Sequence, residues 1–211
     1  MPDLKKLRKA VIDGDHKTSA AMTQQALAEG VAPLEIATGC LVPAMEEVGR
    51  LFECEEYFVP EMLLSARAMK ASMEVLRPLL AAAGAETAGR VVIGTVKGDL
   101  HDIGKNLVAS MLEGGGFEVI DLGADVAPER FIEAAAERNA SLVALSALLT
   151  VTMPAMKTTI DAFKTAGLRG KVKIMVGGAP VTRQYADSIG ADGFGESAAA
   201  AVALARKLVA A

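Results

Sequence analysis

The stretch VVIGTV, residues 91–96, followed at once by KGDLHDIGKN, residues 97–106, decides the fold. An unbroken apolar run closed by a glycine-bearing loop reads as a strand buried on both faces. A helical period follows it over about residues 104–114. The same alternation recurs through EVIDLG (118–123), SLVALSA (141–147) and VKIMVGG (172–178), with helix-like stretches at 127–138, 154–166 and 180–188. A short fifth strand near ADGFG (191–195) and an alanine-rich helix (197–210) complete the series. Strands that alternate with helices predict a five-stranded, doubly wound parallel sheet over residues 90–211.

Upstream of GAETAGR (84–90) the period is helical throughout. Leu4, Leu7, Val11 and Ile12 share one face, and Gly14 follows as a stop. A second helix is predicted from about Thr18 to Glu29, closed by Gly30. Pro33 sits where a third should begin, and Pro43 kinks that helix or restarts it. A fourth fits Pro60 to Ala83, with Leu63, Leu64, Ala68, Met69, Met73, Leu76 and Leu80 as its apolar positions. Residues 1–86 are therefore expected to form an all-α four-helix bundle.

Composition removes several functions. The chain has 211 residues and a formal net charge of −4, which argues against a nucleic-acid partner. Aromatic residues make up 4% and tryptophan is absent, so base-stacking platforms lack material. Two cysteines, Cys40 and Cys54, are too few for a disulfide framework. The opening residues MPDLKKLRKAVIDGD lack the apolar core of a signal peptide, and no apolar run reaches the ~18 residues of a membrane span. A soluble cytoplasmic chain with no membrane partner is the expectation. Two histidines, His16 and His101, cannot build a multi-ligand site for a free zinc ion.

In a flavodoxin-like strand order, ligands bind beyond the carboxyl ends of strands 1 and 3. KGDLHDIGKN (97–106) and SALLTVTMP (146–154) converge there. The first holds Asp99-x-His101-x-x-Gly104, a string expected by chance in roughly one shuffled chain in a hundred at this composition. Its spacing lets the Asp99 carboxylate reach one imidazole nitrogen while the other faces the crevice. Gly98 and Gly104 admit close approach of a bulky, flat ligand. The competing reading is a surface-loop histidine with an incidental neighbour. One protein nitrogen holds no free metal ion tightly, so a metal at His101 must arrive inside its own macrocycle.

These residues resemble the corrinoid (vitamin B12) proteins of methyltransferase systems. Asp99, His101 and Gly104 carry the likeness, with Ser146-Ala-Leu148 and Gly177-Gly178 after strands 3 and 4. The segment MEEVGRLFECEEYFVPEML (45–63) is similar to the helical cap of the methylcobalamin-dependent branch, so the resemblance spans nearly the whole chain. It implies a bundle cap (1–86) joined to a Rossmann-like corrinoid domain (90–211), with a hinge at 84–90. It implies a cobalamin or related corrinoid bound base-off/His-on and cycling between methyl-Co(III) and Co(I), with His101 as the axial ligand to cobalt. Asp99 then bonds the far imidazole nitrogen. In the cobalamin module of methionine synthase a hydroxyl completes this relay, and Thr152 holds that place here, a change from serine. Ser146, Leu148, Thr150, Gly177 and Gly178 are implied to line the pocket of the displaced nucleotide tail. Met45, Phe52 and Phe58 are implied to pack over the upper corrin face, although ordinary bundle core is the alternative for such apolar positions. Asp125 and Val126 receive only a packing role, His16 an exposed one, Glu55, Glu56 and Glu61 a solvated edge, and Cys54 that of a filler, with a reactive thiol as the alternative.

The function so implied is a methyl carrier. One methyltransferase loads cobalt from an O-methyl or N-methyl compound or methanol, and another delivers the methyl to an acceptor such as tetrahydrofolate or a thiol. A reductive activator for Co(II) is a further expected partner, and no turnover is expected without partner methyltransferases. The small subunit of a B12-dependent mutase shares the motif, but the methyl-type cap is unexpected there. A B12-based sensor needs a DNA-binding module, and no basic helix is seen. A flavodoxin-like signalling receiver would not require His101.

Overall fold

A computed structural model describes residues 4–82 and 88–210, which divide into a helical unit and a sheet unit. The hinge expected at 84–90 falls largely outside the described residues.

The helical unit holds α1 (Leu4–Ile12), α2 (His16–Ala28), α3 (Pro33–Ile36), a π-helical segment (Ala37–Leu41), α4 (Val42–Glu53) and α5 (Val59–Ala82). Gly14 ends the first helix at φ +74°, and a Cβ there would stand 2.5 Å from the Leu64 Cβ. Only glycine fits that crossing. Helix α2 starts before the periodicity implies because Asp15 caps it, accepting from the Thr18 amide at 3.0 Å and the Thr18 hydroxyl at 2.6 Å. Pro43 stands in the first turn of α4, so the helix does restart there, but by way of a π-helical segment with no break in right-handed backbone at Leu41 and Val42. Pro43 has no N–H to donate, and the preceding turn is wider: the Val42 amide bonds the Ala37 carbonyl, five residues back. Leu7, Ile36, Leu41, Val48, Met62, Met69 and Leu76 are fully buried. Each contributes about 1.5–3 kcal/mol by leaving water. Buried hydroxyls fix the register: Ser65 donates to the Ile12 carbonyl at 2.7 Å and Ser19 to the Ala68 carbonyl at 2.9 Å.

The sheet unit is the predicted α/β domain. Strands β1 (Arg90–Thr95), β2 (Glu118–Asp121), β3 (Leu142–Ser146), β4 (Lys173–Gly177) and β5 (Gly193–Gly195) are all parallel, in the order β2-β1-β3-β4-β5. Helices α6 (Ile103–Gly114), α7 (Pro128–Glu137), α8 (Pro154–Thr165), α9 (Arg183–Ile189) and α10 (Ala198–Val209) connect and cover them. Alternate strand residues face opposite ways. Val92 and Val143 pack with Phe131, Met156, Ile160 and Phe163, whereas Val91, Ile93 and Leu142 pack with Leu112, Phe117 and Ala205. Both faces are therefore dry, which is why the strands read as unbroken apolar runs. The chain order reverses between β1 and β3, so a crevice opens beyond their carboxyl ends. Among the described residues, no helix is long and apolar enough to cross a membrane.

Candidate functional site

The register aligns the strand ends that carry the site. Thr95 pairs with Ser146, Ser146 with Gly177, and Gly177 with Gly195, so four strands finish in one row. The loop after β1 begins with a tight turn in which the Asp99 amide bonds the Val96 carbonyl at 3.1 Å and Gly98 takes φ +85°. This is a type II arrangement, with glycine at the position that requires a positive φ. The turn drives the Asp99 side chain inward, where it is fully buried.

Five donors meet that carboxylate. Oδ1 accepts from the His101 amide and from His101 Nδ1, both at 3.0 Å. Oδ2 accepts from the Thr152 hydroxyl at 2.7 Å, the Leu148 amide at 2.8 Å and the Leu149 amide at 3.3 Å. The Thr152 hydroxyl also lies 2.8 Å from the Leu149 carbonyl, but one proton serves one acceptor. That carbonyl already takes the Thr152 and Met153 amides, so the carboxylate is the stronger claimant. Burial by itself would push the Asp99 carboxyl up. The Thr152 hydroxyl, the Leu148 and His101 amides and the His101 ring outweigh it and hold the carboxyl well below the usual range.

His101 is fixed at its backbone as well, since its carbonyl accepts from the buried Thr95 hydroxyl at 2.8 Å. Its side chain is 52% exposed. Nδ1 is committed to Asp99, and among the described residues Nε2 has no hydrogen-bond partner. Beside it, within the sheet unit, lies a cavity of about 730 Å³. Leu100, His101, Ile103 and Gly104 form one wall, Ser146, Ala147 and Leu148 another, and Gly177 and Gly178 a third. The inner end is apolar, with Ile93, Val108, Ala144, Met175 and Ala201.

The fold brings together Asp99, His101, Gly104, Ser146, Leu148, Thr152, Gly177 and Gly178. Thr150 is exposed and does not line the cavity. A Cβ on Gly104 would meet nothing within 4 Å, so the space there is open to a ligand. Gly178 is glycine for a different reason: at φ +127° its Cβ would stand 1.9 Å from the Ala147 carbonyl oxygen. In the helical unit Met45 is buried, Phe52 is half-buried and Phe58 is 61% exposed. Cys54 is exposed rather than a core filler, and His16 is half-buried at the start of α2. Glu61 is more than a solvated edge, since it accepts from the Phe58 amide at 3.0 Å and closes the first turn of α5.

Three features escaped the sequence reading. Glu196 and Ser197 line the cavity from beyond β5. Lys105 is buried against Asp121 (2.5 and 2.6 Å) and the Asn106 side-chain oxygen (2.6 Å). Asp125, read as packing only, bonds the His101 loop directly: its Oδ1 accepts from the Gly98 amide at 2.8 Å. The available signals were weak, namely a helix-start serine after a short strand and charged residues beside strand ends.

A parallel sheet with a cavity at its switch point, and a carboxylate-fixed histidine at the mouth, defines a cofactor-binding α/β protein. Comparison with known proteins identifies which kind. A family described as B12 binding domain matches residues 89–205, and a second of the same description matches residues 3–77. The chain is 44% identical to trimethylamine corrinoid protein 1 of Methanosarcina acetivorans over 97% of its own length and 95% of that protein's. It is 41% identical to corrinoid protein DSY3155 of Desulfitobacterium hafniense, with 98% and 97% covered. A crystal structure of a cobalamin-binding protein from Desulfitobacterium hafniense superposes with a TM-score of 0.82 at 33% identity, covering 99% of both chains. The chain belongs to the family of B12-binding corrinoid proteins.

The residues present fit such a group. Four equatorial nitrogens come with the corrin, so a single free imidazole nitrogen suffices as the protein's contribution. The cavity adjoining it offers an apolar inner end and a polar rim, the two characters of a nucleotide tail.

Proposed function

We propose that this protein carries a methyl group on a bound corrinoid between two methyltransferases in the cytoplasm. The carrying observation is the free Nε2 of His101 at the cavity mouth, with Nδ1 held by a buried, ionised Asp99. When bound, the corrinoid supplies a cobalt centre that accepts and gives up methyl groups; the protein supplies ligation, orientation and shielding. His101 Nε2 is proposed as axial ligand in place of the corrinoid's own lower base. Asp99 and Thr152 orient the ring and hold its proton on Nδ1. Ser146, Leu148, Gly177 and Gly178 line the channel for the displaced tail, and Gly104 leaves room for it. Phe52 and Phe58, with Met45, are the apolar side chains the helical unit is proposed to offer the cofactor.

The relatives named for trimethylamine and dimethylamine support N-methylamines as the donor class. A chain of the methanol:cobalamin methyltransferase complex MtaBC of Methanosarcina barkeri matches this one with a TM-score of 0.83 at 31% identity, over 97% of this chain's length and 78% of that chain's. That match supports a methyltransferase as the loading partner. Delivery to tetrahydrofolate or a thiol, and a reductive activator for oxidised cobalt, complete the proposed cycle.

Electron paramagnetic resonance tests the ligation. Protein carrying isotopically labelled histidine nitrogen and reconstituted with cob(II)alamin should show the label in its nitrogen splitting, and His101→Gln should lose it. A label-independent spectrum sinks the assignment. Loading is tested by incubation with a methylamine methyltransferase and its substrate, followed by the cobalt spectrum.

A further inference from the structure

The turn that aims Asp99 inward is not self-supporting. Asp125, beyond the end of β2, grips it from two sides. Its Oδ1 accepts from the Gly98 amide at 2.8 Å, and its own amide donates to the Asp99 carbonyl at 2.9 Å. Lys97 completes the clasp by donating to Asp125 Oδ2 at 3.0 Å. Gly98 and Asp125 both sit at positive φ, +85° and +56°, so each side of the clasp holds an unusual backbone conformation. Aspartate is among the few residues that tolerate this region. Next to it, Val96 and Val126 form an isolated parallel bridge that aligns the two loops.

We propose that Asp125 is a positioning residue for His101. It acts through the Gly98–Asp99 turn: the clasp fixes the turn, the turn fixes the Asp99 carboxylate, and the carboxylate fixes the imidazole. Asp125 makes no hydrogen bond to His101 and does not line the cavity. Lys97 balances its charge, leaving Oδ1 as the acceptor the turn needs. This rests on the proposal that His101 ligates cobalt, and the experiment separates the two.

Two substitutions isolate the acceptor. Asp125→Gly keeps the positive φ and removes the carboxylate. Asp125→Asn keeps φ and Oδ1 and removes the charge. Amide hydrogen exchange at Gly98 in the cofactor-free protein reads the clasp. The splitting from labelled histidine in cob(II)alamin-loaded protein reads the position of His101. In Asp125→Gly, exchange at Gly98 should quicken by about tenfold or more and the histidine splitting should diminish, while Asp125→Asn retains both. Unchanged exchange or unchanged splitting in Asp125→Gly overturns the proposal, as does loss of the splitting in Asp125→Asn. Should glycine unfold the loop, Asp125→Ala, which also lacks the acceptor, takes its place with the same two readouts and the same refuting results. Absence of histidine splitting in the unsubstituted protein would instead refute the ligand assignment, and exchange at Gly98 would still test the clasp.

Discussion

Replacing Thr152 with valine removes one proton donor from Asp99 and little else. The hydroxyl is buried and lies 2.7 Å from a fully buried carboxylate oxygen. A hydrogen bond to a charged group contributes about 1.5–3 kcal/mol. Valine returns part of this, about 0.8 kcal/mol, by burying a methyl group in place of the hydroxyl. The Leu148 amide at 2.8 Å still serves the same oxygen, so the carboxylate is weakened, not orphaned. The net loss expected at pH 7 is therefore about 1–2 kcal/mol. The sign with pH follows from the direction of the Asp99 shift. Its folded carboxyl lies below the unfolded value of about 3.9, so its stabilisation is complete above that value and lost as pH falls through the folded one. The deficit of Thr152→Val should stay constant from about pH 8 down past the unfolded value, which both proteins share, and shrink only as pH falls through the variant's own folded carboxyl, which lies below it and protonates before the parent's. Urea unfolding of the cofactor-free protein across this range measures it, with Thr152→Ser as the control that restores the donor. A valine variant as stable as the parent at pH 7, or a deficit that already shrinks above the unfolded carboxyl value, would refute the account of Asp99.

Other substitutions separate backbone need from ligand space. Gly178→Ala should cost about 2–5 kcal/mol in thermal unfolding, because its Cβ meets the Ala147 carbonyl at 1.9 Å in a left-handed conformation. Gly104→Ala should leave the apo fold intact or stabilise it by about 0.5–1 kcal/mol, as its Cβ enters open space on a helix; what should fall is retention of cobalamin on gel filtration. Ser65→Ala should destabilise by about 1–2 kcal/mol through the lost bond to the Ile12 carbonyl. Ser72→Ala should be neutral or stabilising, since the Ser72 hydroxyl is buried without a partner among the described residues. Equal losses in the two serine variants would contradict that contrast.

The sheet was legible because its physics is local. Val91 through Val96 carry no charge and a single hydroxyl, that of Thr95, and a strand covered on both faces needs such a run. Asp99 and His101 were legible because two residues of separation suffice for their bond. What stayed hidden depends on distant partners. The need for glycine at 178 comes from the Ala147 carbonyl, and the part played by Asp125 comes from Gly98. Neither pair shares a periodicity or a spacing. Thr150, which resemblance implies for the tail pocket, stands exposed and apart from the cavity wall. Leu148, exposed as well, lies on it, and only the folded loop tells the two apart. At Pro43 the sequence marked the disturbance without its form, because a widened turn and a break begin with the same missing donor.

The five donors around Asp99 make chemical sense only in relation to the proton on His101. A neutral imidazole has one N–H and one lone pair, and the partner of Nδ1 decides which nitrogen has which. An ionised Asp99 can only accept, so it draws the proton to Nδ1 and leaves the lone pair on Nε2, the nitrogen free of protein partners. A protonated Asp99 could donate to Nδ1 instead, which would place the proton on Nε2 and abolish it as a ligand. Depressing the carboxyl therefore selects the tautomer. It also explains why the donors come from β3's loop as well as from the histidine's own: Leu148, Leu149 and Thr152 lie about fifty residues away in sequence, and they meet Asp99 only once β1 and β3 pair. The free lone pair proposed to ligate cobalt is thus a product of the folded sheet. In an unfolded chain the same Asp-x-His string has no such preference, and it should hold a corrinoid no better than any exposed histidine does.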